Sequence, residues 1–214
     1  MNGAGTLWGA KLSDFRDATA SAEPTPGGGS VAGVSATLGM GLVIMALEIS
    51  VKRKDAFEPE TANALIGAGR DVMRELAGDA DRDVLAFQDY MAALRLPKAS
   101  DEEKRHRKEA LQRATRGATE APLAAARHMV EGLRLAEMAA PLAHAHVVSD
   151  VGAGAGLLEG ALKAVLFNVD VNLPNLTDHE TREAWGEERE WLAREGIGIA
   201  GRVLDIVAER LGGS

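Results

Sequence analysis

Apolar residues recur along most of the chain at three- and four-residue steps, and strand-like alternation is nearly absent. The clearest run is Leu65, Val72, Leu76, Ala80, Val84, Phe87 and Met91. It predicts one face of a long helix that starts near Pro59, a residue suited to a first turn, and stops at Pro97 in "RLPKAS". Ser100 followed by Glu103 forms a capping box, so another helix is expected from 101 to Met138, with Pro122 as a candidate break and Pro141 as its stop. A short helix is expected over residues 7–19. Thr177 with Glu180 reads as a second capping box opening a last amphipathic helix to about Leu211.

Two stretches lack a polar face. Residues 31–47, "VAGVSATLGMGLVIMAL", are entered from the glycines or Ser30 and continue to about Val51; residues 148–171 are similar. Small residues recur every fourth position in each: Gly29, Gly33, Thr37 and Gly41, then Gly152, Gly156, Gly160 and Ala164. The first stretch approaches the roughly 20 residues that span a bilayer. Its glycines, serine and threonine make it only weakly hydrophobic, so a buried core helix is the better reading and no membrane partner is expected. Each interior glycine costs about 1 kcal/mol of helix propensity relative to alanine, which close approach of a neighbouring helix must offset. The pattern predicts an all-α helical bundle of long antiparallel helices forming one domain over residues 1–214, with residues 1–5 loose. The two smooth helices are expected to pack in its centre or across a homodimer interface.

Composition sharpens this picture. Aromatics are only 4% of residues, which argues against a β-sandwich and for closely packed helices. The net charge of -8, with both signs interspersed, leaves no extended basic face, so nucleic-acid binding is not expected. There is no cysteine, hence no disulfide framework, thiol nucleophile or thiolate metal site. The first fifteen residues show no basic-then-apolar secretory pattern, and a cytoplasmic location is expected.

Candidate chemistry begins at "PTPGGGS", residues 24–30. No strand precedes it and no Gly-Lys-Ser/Thr follows, so it is not a phosphate loop. It suits a turn into a helix N-terminus, where free N–H groups attract anions or carbonyl oxygens. Asp83 lies on or beside the apolar stripe, between Ala80 and Phe87, where a carboxylate needs a partner or a ligand; a buried salt bridge is the structural alternative. Asp150 precedes the second smooth helix, where it or Ser149 could be the N-cap. Asn168 and Asn172 are one turn apart and could face a polar ligand or tie neighbouring backbones. Lys52, Arg53 and Lys54 close the first smooth helix, where cations suit the negative end of its dipole. Lys98 reads as a loop lysine, the mixed run from Asp101 as a solvated face, and the scattered histidines give no metal-site spacing.

Five stretches, in order, resemble the cyclodeaminase/cyclohydrolase family of folate one-carbon enzymes. They are "FRDATASAEPTPGGGSVAG", "ISVKRKDAF", "DRDVLAFQDYMAALRLPKASDEEKRHRKEALQRAT", "APLAAARHMVEGLRLAEMA" and "VVSDVGAGAGLLEGALKAVLFNVDVNL". The resemblance implies an all-helical homodimer that binds folate near the glycine motif, with no metal and no permanently bound cofactor. It implies a tetrahydrofolate derivative as substrate, hydrolysed from 5,10-methenyl- to 10-formyltetrahydrofolate. Alternatives are deamination of 5-formiminotetrahydrofolate, or a non-catalytic folate-binding or scaffold role. On this resemblance Asp83 is the proton-handling residue and Asp150 the second candidate. Pro26, Gly27, Gly28, Gly29, Lys52, Arg53, Lys54, Phe87, Lys98, Asn168 and Asn172 are the substrate-binding candidates. The chain departs from the family in "SVKRKDAF", where Lys52 and Ala56 stand in place of a glycine and a tyrosine.

Overall fold

The computed structural model describes residues 6–53 and 58–212, and every regular element among them is helical. Residues 1–5, Lys54 and Ala56 lie outside the described residues. The helices are α1 (Leu12–Thr19), α2 (Gly28–Val51), α3 (Pro59–Leu94), α4 (Asp101–Ala139), α5 (Val148–Asn172) and α6 (His179–Gly212).

Local chemistry explains most boundaries. Pro59 occupies the first turn of α3, and the Ser100–Glu103 capping box is formed: Glu103 N–H donates to Ser100 Oγ while its carboxylate accepts from the Ala99 and Ser100 N–H groups. Three expectations need correction. Residues 7–19 are not one helix but a 3₁₀ turn at Leu7–Gly9 followed by α1. The turn is held on α3 by Leu7 N–H donating to Asp81 (2.7 Å) and Trp8 Nε1 donating to the Ala77 carbonyl (3.0 Å). Thr177 does not cap α6, because its hydroxyl and N–H both donate to Gln112 Oε1. Asp178 does so instead, accepting from the Thr181 N–H and hydroxyl.

Nor does Pro122 break α4, which runs through it. A proline has no N–H, so the Ala118 carbonyl one turn earlier loses its helical donor. Asn172 of α5 supplies one, its Nδ2 lying 2.8 Å from that oxygen.

Helices α2 to α5 form a ring in which each packs on the next and α5 returns to α2. Paired positions run in opposite senses: Gly33 lies on Ala80 and Gly69 on Ile44, and Asp79 meets His128 while Leu94 meets Arg107. The bundle is therefore antiparallel, as expected. Helix α6 covers α4 and α5, running parallel to α4 with cross-links Arg127–Glu188, Arg134–Glu195 and Arg202–Glu137.

The core is aliphatic. Its largest fully buried side chains include Met40, Leu76, Met129, Leu133, Leu162 and Ile199. Glycines permit the close approaches: a Cβ on Gly39 would stand 2.8 Å from the Gly154 carbonyl oxygen, and one on Gly33 would stand 2.9 Å from the Ala80 backbone. Both smooth helices thus meet within a single chain. The second stripe divides, because Gly152 packs on Val207 of α6 while Gly156 and Gly160 have nothing within 4 Å. Helix α2 is long and apolar enough to cross a membrane, with a mean hydropathy of 1.9 in a window of which 61% is buried.

Candidate active site

The start of α2 determines the site. Gly27 is its N-cap, and no side chain caps the helix, so first-turn N–H groups remain available beside the turn with the cis Thr25–Pro26 bond. The fully buried Ser30 projects from that turn of helix toward α3 and donates to Asp83 Oδ2 at 2.7 Å. Asn168 of α5 approaches Asp83 Oδ1 with its Nδ2 at 3.4 Å. Three helices thereby hold one carboxylate, and the positive end of the α2 dipole lies next to it.

Asp83 forms no ion pair among the described residues. The salt-bridge alternative applies to Asp79 instead, one turn earlier: its side chain is 1% exposed, paired with Arg82, and 2.8 Å from His128 Nδ1. Sequence reasoning missed Asp79, although its position four residues before Asp83 on the same face was visible. The two carboxylates have different surroundings. One is enclosed by Arg82, His128 and neighbouring helices; the other borders a cavity.

That cavity has a volume of about 300 Å³ and is lined by Gly27, Gly28, Gly29, Asp83, Phe87, Tyr90, Pro122, Asn168 and Asn172, among others. The structure therefore brings together seven of the sequence candidates. Ser30 and Tyr90 were missed. Ser30 follows the glycines directly, and Tyr90 lies seven residues beyond Asp83, so both had a positional signal. Asn172 borders the cavity while its amide serves the Ala118 carbonyl, so it also ties neighbouring backbones.

Other candidates stand apart. Pro26 lines a larger cavity of about 670 Å³ across the glycine turn, bounded by α2 and α5 and largely apolar. The smaller cavity is the better candidate for chemistry because only it contains the hydrogen-bonded carboxylate. Asp150 lies in the first turn of α5, whose N-cap is Val147 rather than Ser149 or Asp150; it is about 27 Å along the helix from Asn168. Lys52 is the C-cap of α2, about 34 Å along the helix from Gly29, and Arg53 follows it. Lys98 lies in the α3–α4 turn and lines a third cavity. No group of three or more residues able to hold a metal occurs among the described residues.

Residues 11–190 match the family described as Formiminotransferase-cyclodeaminase. The chain belongs to that family. It is 33% identical to methenyltetrahydrofolate cyclohydrolase of Methylorubrum extorquens, over 94% of this chain and 97% of the relative. It is 30% identical to formimidoyltransferase-cyclodeaminase of Gallus gallus, over 93% of this chain but only 37% of that longer protein. The fold is similar to the crystal structure of formiminotetrahydrofolate cyclodeaminase from Thermotoga maritima, with a TM-score of 0.82 and 26% identity over 94% of this chain and 96% of the other. This membership supports a role as an enzyme of folate one-carbon metabolism.

Proposed function

We propose that the protein is a methenyltetrahydrofolate cyclohydrolase in which Asp83 is the general base. The observation that carries this reading is a carboxylate held by Ser30 and Asn168 at a glycine-lined helix start, on the wall of a cavity. The near full-length similarity to the Methylorubrum cyclohydrolase supports it.

The substrate's bridge carbon is a cationic amidinium, which a carboxylate stabilises by proximity and a water molecule attacks. Asp83 takes one proton from that water as its oxygen bonds to the carbon. The adduct then collapses: its hydroxyl proton goes to solvent, the carbonyl forms, the bond from carbon to N5 breaks, and Asp83 returns its proton to N5. The net reaction consumes water and releases one proton. Ser30 and Asn168 keep the carboxylate oriented. The uncapped N–H groups of α2 suit polar oxygens of the substrate, and Phe87 and Tyr90 offer rings against its flat portions.

The similarity to the Thermotoga cyclodeaminase, of nearly equal length, supports a second reading, in which N10 attacks the formimino carbon and ammonia leaves. Absorbance loss with 5,10-methenyltetrahydrofolate, measured beside ammonia release from 5-formiminotetrahydrofolate, separates the two. Binding without turnover of either folate would favour the non-catalytic role.

The working unit we propose is a cytoplasmic homodimer joined through the outer faces of α2 and α5, without a membrane or a permanently bound cofactor. Leu38, Phe167 and Val171 are 55%, 66% and 70% exposed there, beside Gly156 and Gly160 with open space before them. Val171 also lines the Asp83 cavity, so a second copy on this face would complete its wall.

A further inference from the structure

Helix α6 gives one face to the core and leaves the opposite face unpartnered. Leu192, Gly196, Ile199, Ala200, Val203 and Val207 are buried on the side that covers α4 and α5. Around the other side, Ile197, Leu204 and Leu211 recur at seven-residue steps and are 46%, 43% and 50% exposed. Gly201 and Ala208 stand between them, so the strip advances by alternating steps of four and three, the spacing by which one helix meets another. The match to the family covers residues 11–190 and stops short of this strip.

Two glycines there serve no contact within the chain. A Cβ on Gly196 would overlap Leu162, which accounts for that glycine, but one on Gly201 would meet nothing within 4 Å and one on Gly198 only the Arg202 side chain at 3.6 Å. An interior glycine destabilises a helix relative to alanine, and close approach of a second helix offsets that cost. Charge gives an independent indication. Asp205 has no ion pair among the described residues, and the exposed Arg194 reaches only Glu190, at 3.7 Å.

One occupant satisfies the glycines, the apolar residues and the charges together: α6 of a second copy, antiparallel, with Gly201 against Gly201 at a two-fold axis. At 100° per residue, Ile197 and Leu204 fall on one flank of Gly201, and Arg194, Gly198 and Asp205 on the other. In an antiparallel pair, residues equally far from Gly201 in opposite directions come level. Ile197 then lies beside Leu204 of the second copy, offset by about 1.5 Å along the axis. On the other flank Arg194 is offset by about 4.5 Å from Asp205 of the second copy, within reach of an arginine side chain, and Gly198 leaves room for the pair. The two-fold makes each contact twice. Parallel pairing would instead set Asp205 beside Leu204 and leave Arg194 about 16 Å away along the axis.

We propose that this face of α6 is a self-association surface, on which two copies pair antiparallel through Ile197, Gly201 and Leu204 with Arg194–Asp205 ion pairs across the axis. A strip about 30 Å long and 10 Å wide falls short of the roughly 800 Å² per partner that a stable interface buries. It is therefore a weak contact, separate from the α2 and α5 face, and it forms at high protein concentration or between molecules already paired through that face. The proposal does not depend on the folate reading.

The chain has no cysteine, so an introduced one reports a single contact. Ile197→Cys and Leu204→Cys, one of them carrying an affinity tag, are mixed and mildly oxidised beside each variant alone, with Leu85→Cys on the exposed side of α3 as control. The mixture should give the mixed disulfide about fivefold faster than either variant links to itself, because like positions stand about 9 to 12 Å apart along the axis. Leu85→Cys should stay unlinked. Charge reversal is read by sedimentation at high concentration in Phe167→Glu protein, where the α2 and α5 contact is opened. Arg194→Asp should weaken pairing about tenfold, as two exposed ion pairs are lost, and adding Asp205→Arg should restore it. A mixed disulfide no faster than the control, self-linked disulfides in excess of the mixed one, or a double variant that pairs no better than the single would overturn the proposal.

Discussion

The Asp83 carboxylate occupies the space that a Cβ on residue 29 would need. A side chain built on Gly29 would overlap Asp83 Oδ1 and stand 2.5 Å from Asn168 Nδ2. The glycine is thus a condition for the carboxylate–amide contact and not merely a flexible turn residue. Gly29→Ala should displace Asp83 from Ser30 and Asn168 and lower kcat at least tenfold, while Asp83→Asn, which removes the base, should lower it about 100-fold or more. Turnover and thermal melts of the same preparations check this. Near-normal turnover by folded Asp83→Asn would reject the general-base assignment.

Asn172 should matter for stability through a carbonyl on another helix. Removing its amide leaves the Ala118 oxygen without the donor that Pro122 cannot provide. Asn172→Leu is expected to cost about 1–3 kcal/mol. Urea unfolding of this variant and of the double variant with Pro122→Ala should show partial recovery in the double, because alanine restores the helical N–H. Equal loss in both would mean the carbonyl is not the cause.

The tight glycines and the exposed apolar face should separate folding from association. Gly33→Ala forces a Cβ onto the Ala80 backbone, with a cost of about 1–3 kcal/mol. Phe167→Glu places a charge on the outer face of α5, and sedimentation should then show a folded monomer in place of a dimer. A wild-type protein that sediments as a monomer at micromolar concentration would exclude the proposed assembly.

At the start of α4, the Ser100 and Ala99 N–H groups hold the Glu103 carboxyl below the usual glutamate range. Because the folded value is depressed, this contribution is present above the unfolded value and is lost as pH falls through the folded one. The cap should therefore loosen only in acid. A carboxyl-carbon NMR titration should give a midpoint below that of an unstructured glutamate, with the Ser100 amide shift following it. A midpoint at the unstructured value would show the box to be open in solution.

Much of this architecture is local and therefore legible in one dimension. Three-and-four periodicity, the Ser100 capping box, Pro59 in a first turn and fourth-position glycines express backbone hydrogen bonding and one-sided burial, which are written within a few residues of each element. The role of Pro122 was not legible, because the donor that rescues its helix comes from Asn172, fifty positions away. Nor could spacing alone separate Asp79 from Asp83: both carboxylates fall on one face of α3, and only the packing of α2, α4 and α5 assigns one to Arg82 and His128 and the other to Ser30 and Asn168. The apolar stripe of α3 marked Asp83 as a candidate, and the family resemblance gave it a proton-handling role. The tertiary fold decided which other residues join it, since a rigid bundle separates Asp150 and Lys52 from the cavity by most of a helix length while bringing Gly29, Asp83 and Asn168 into contact.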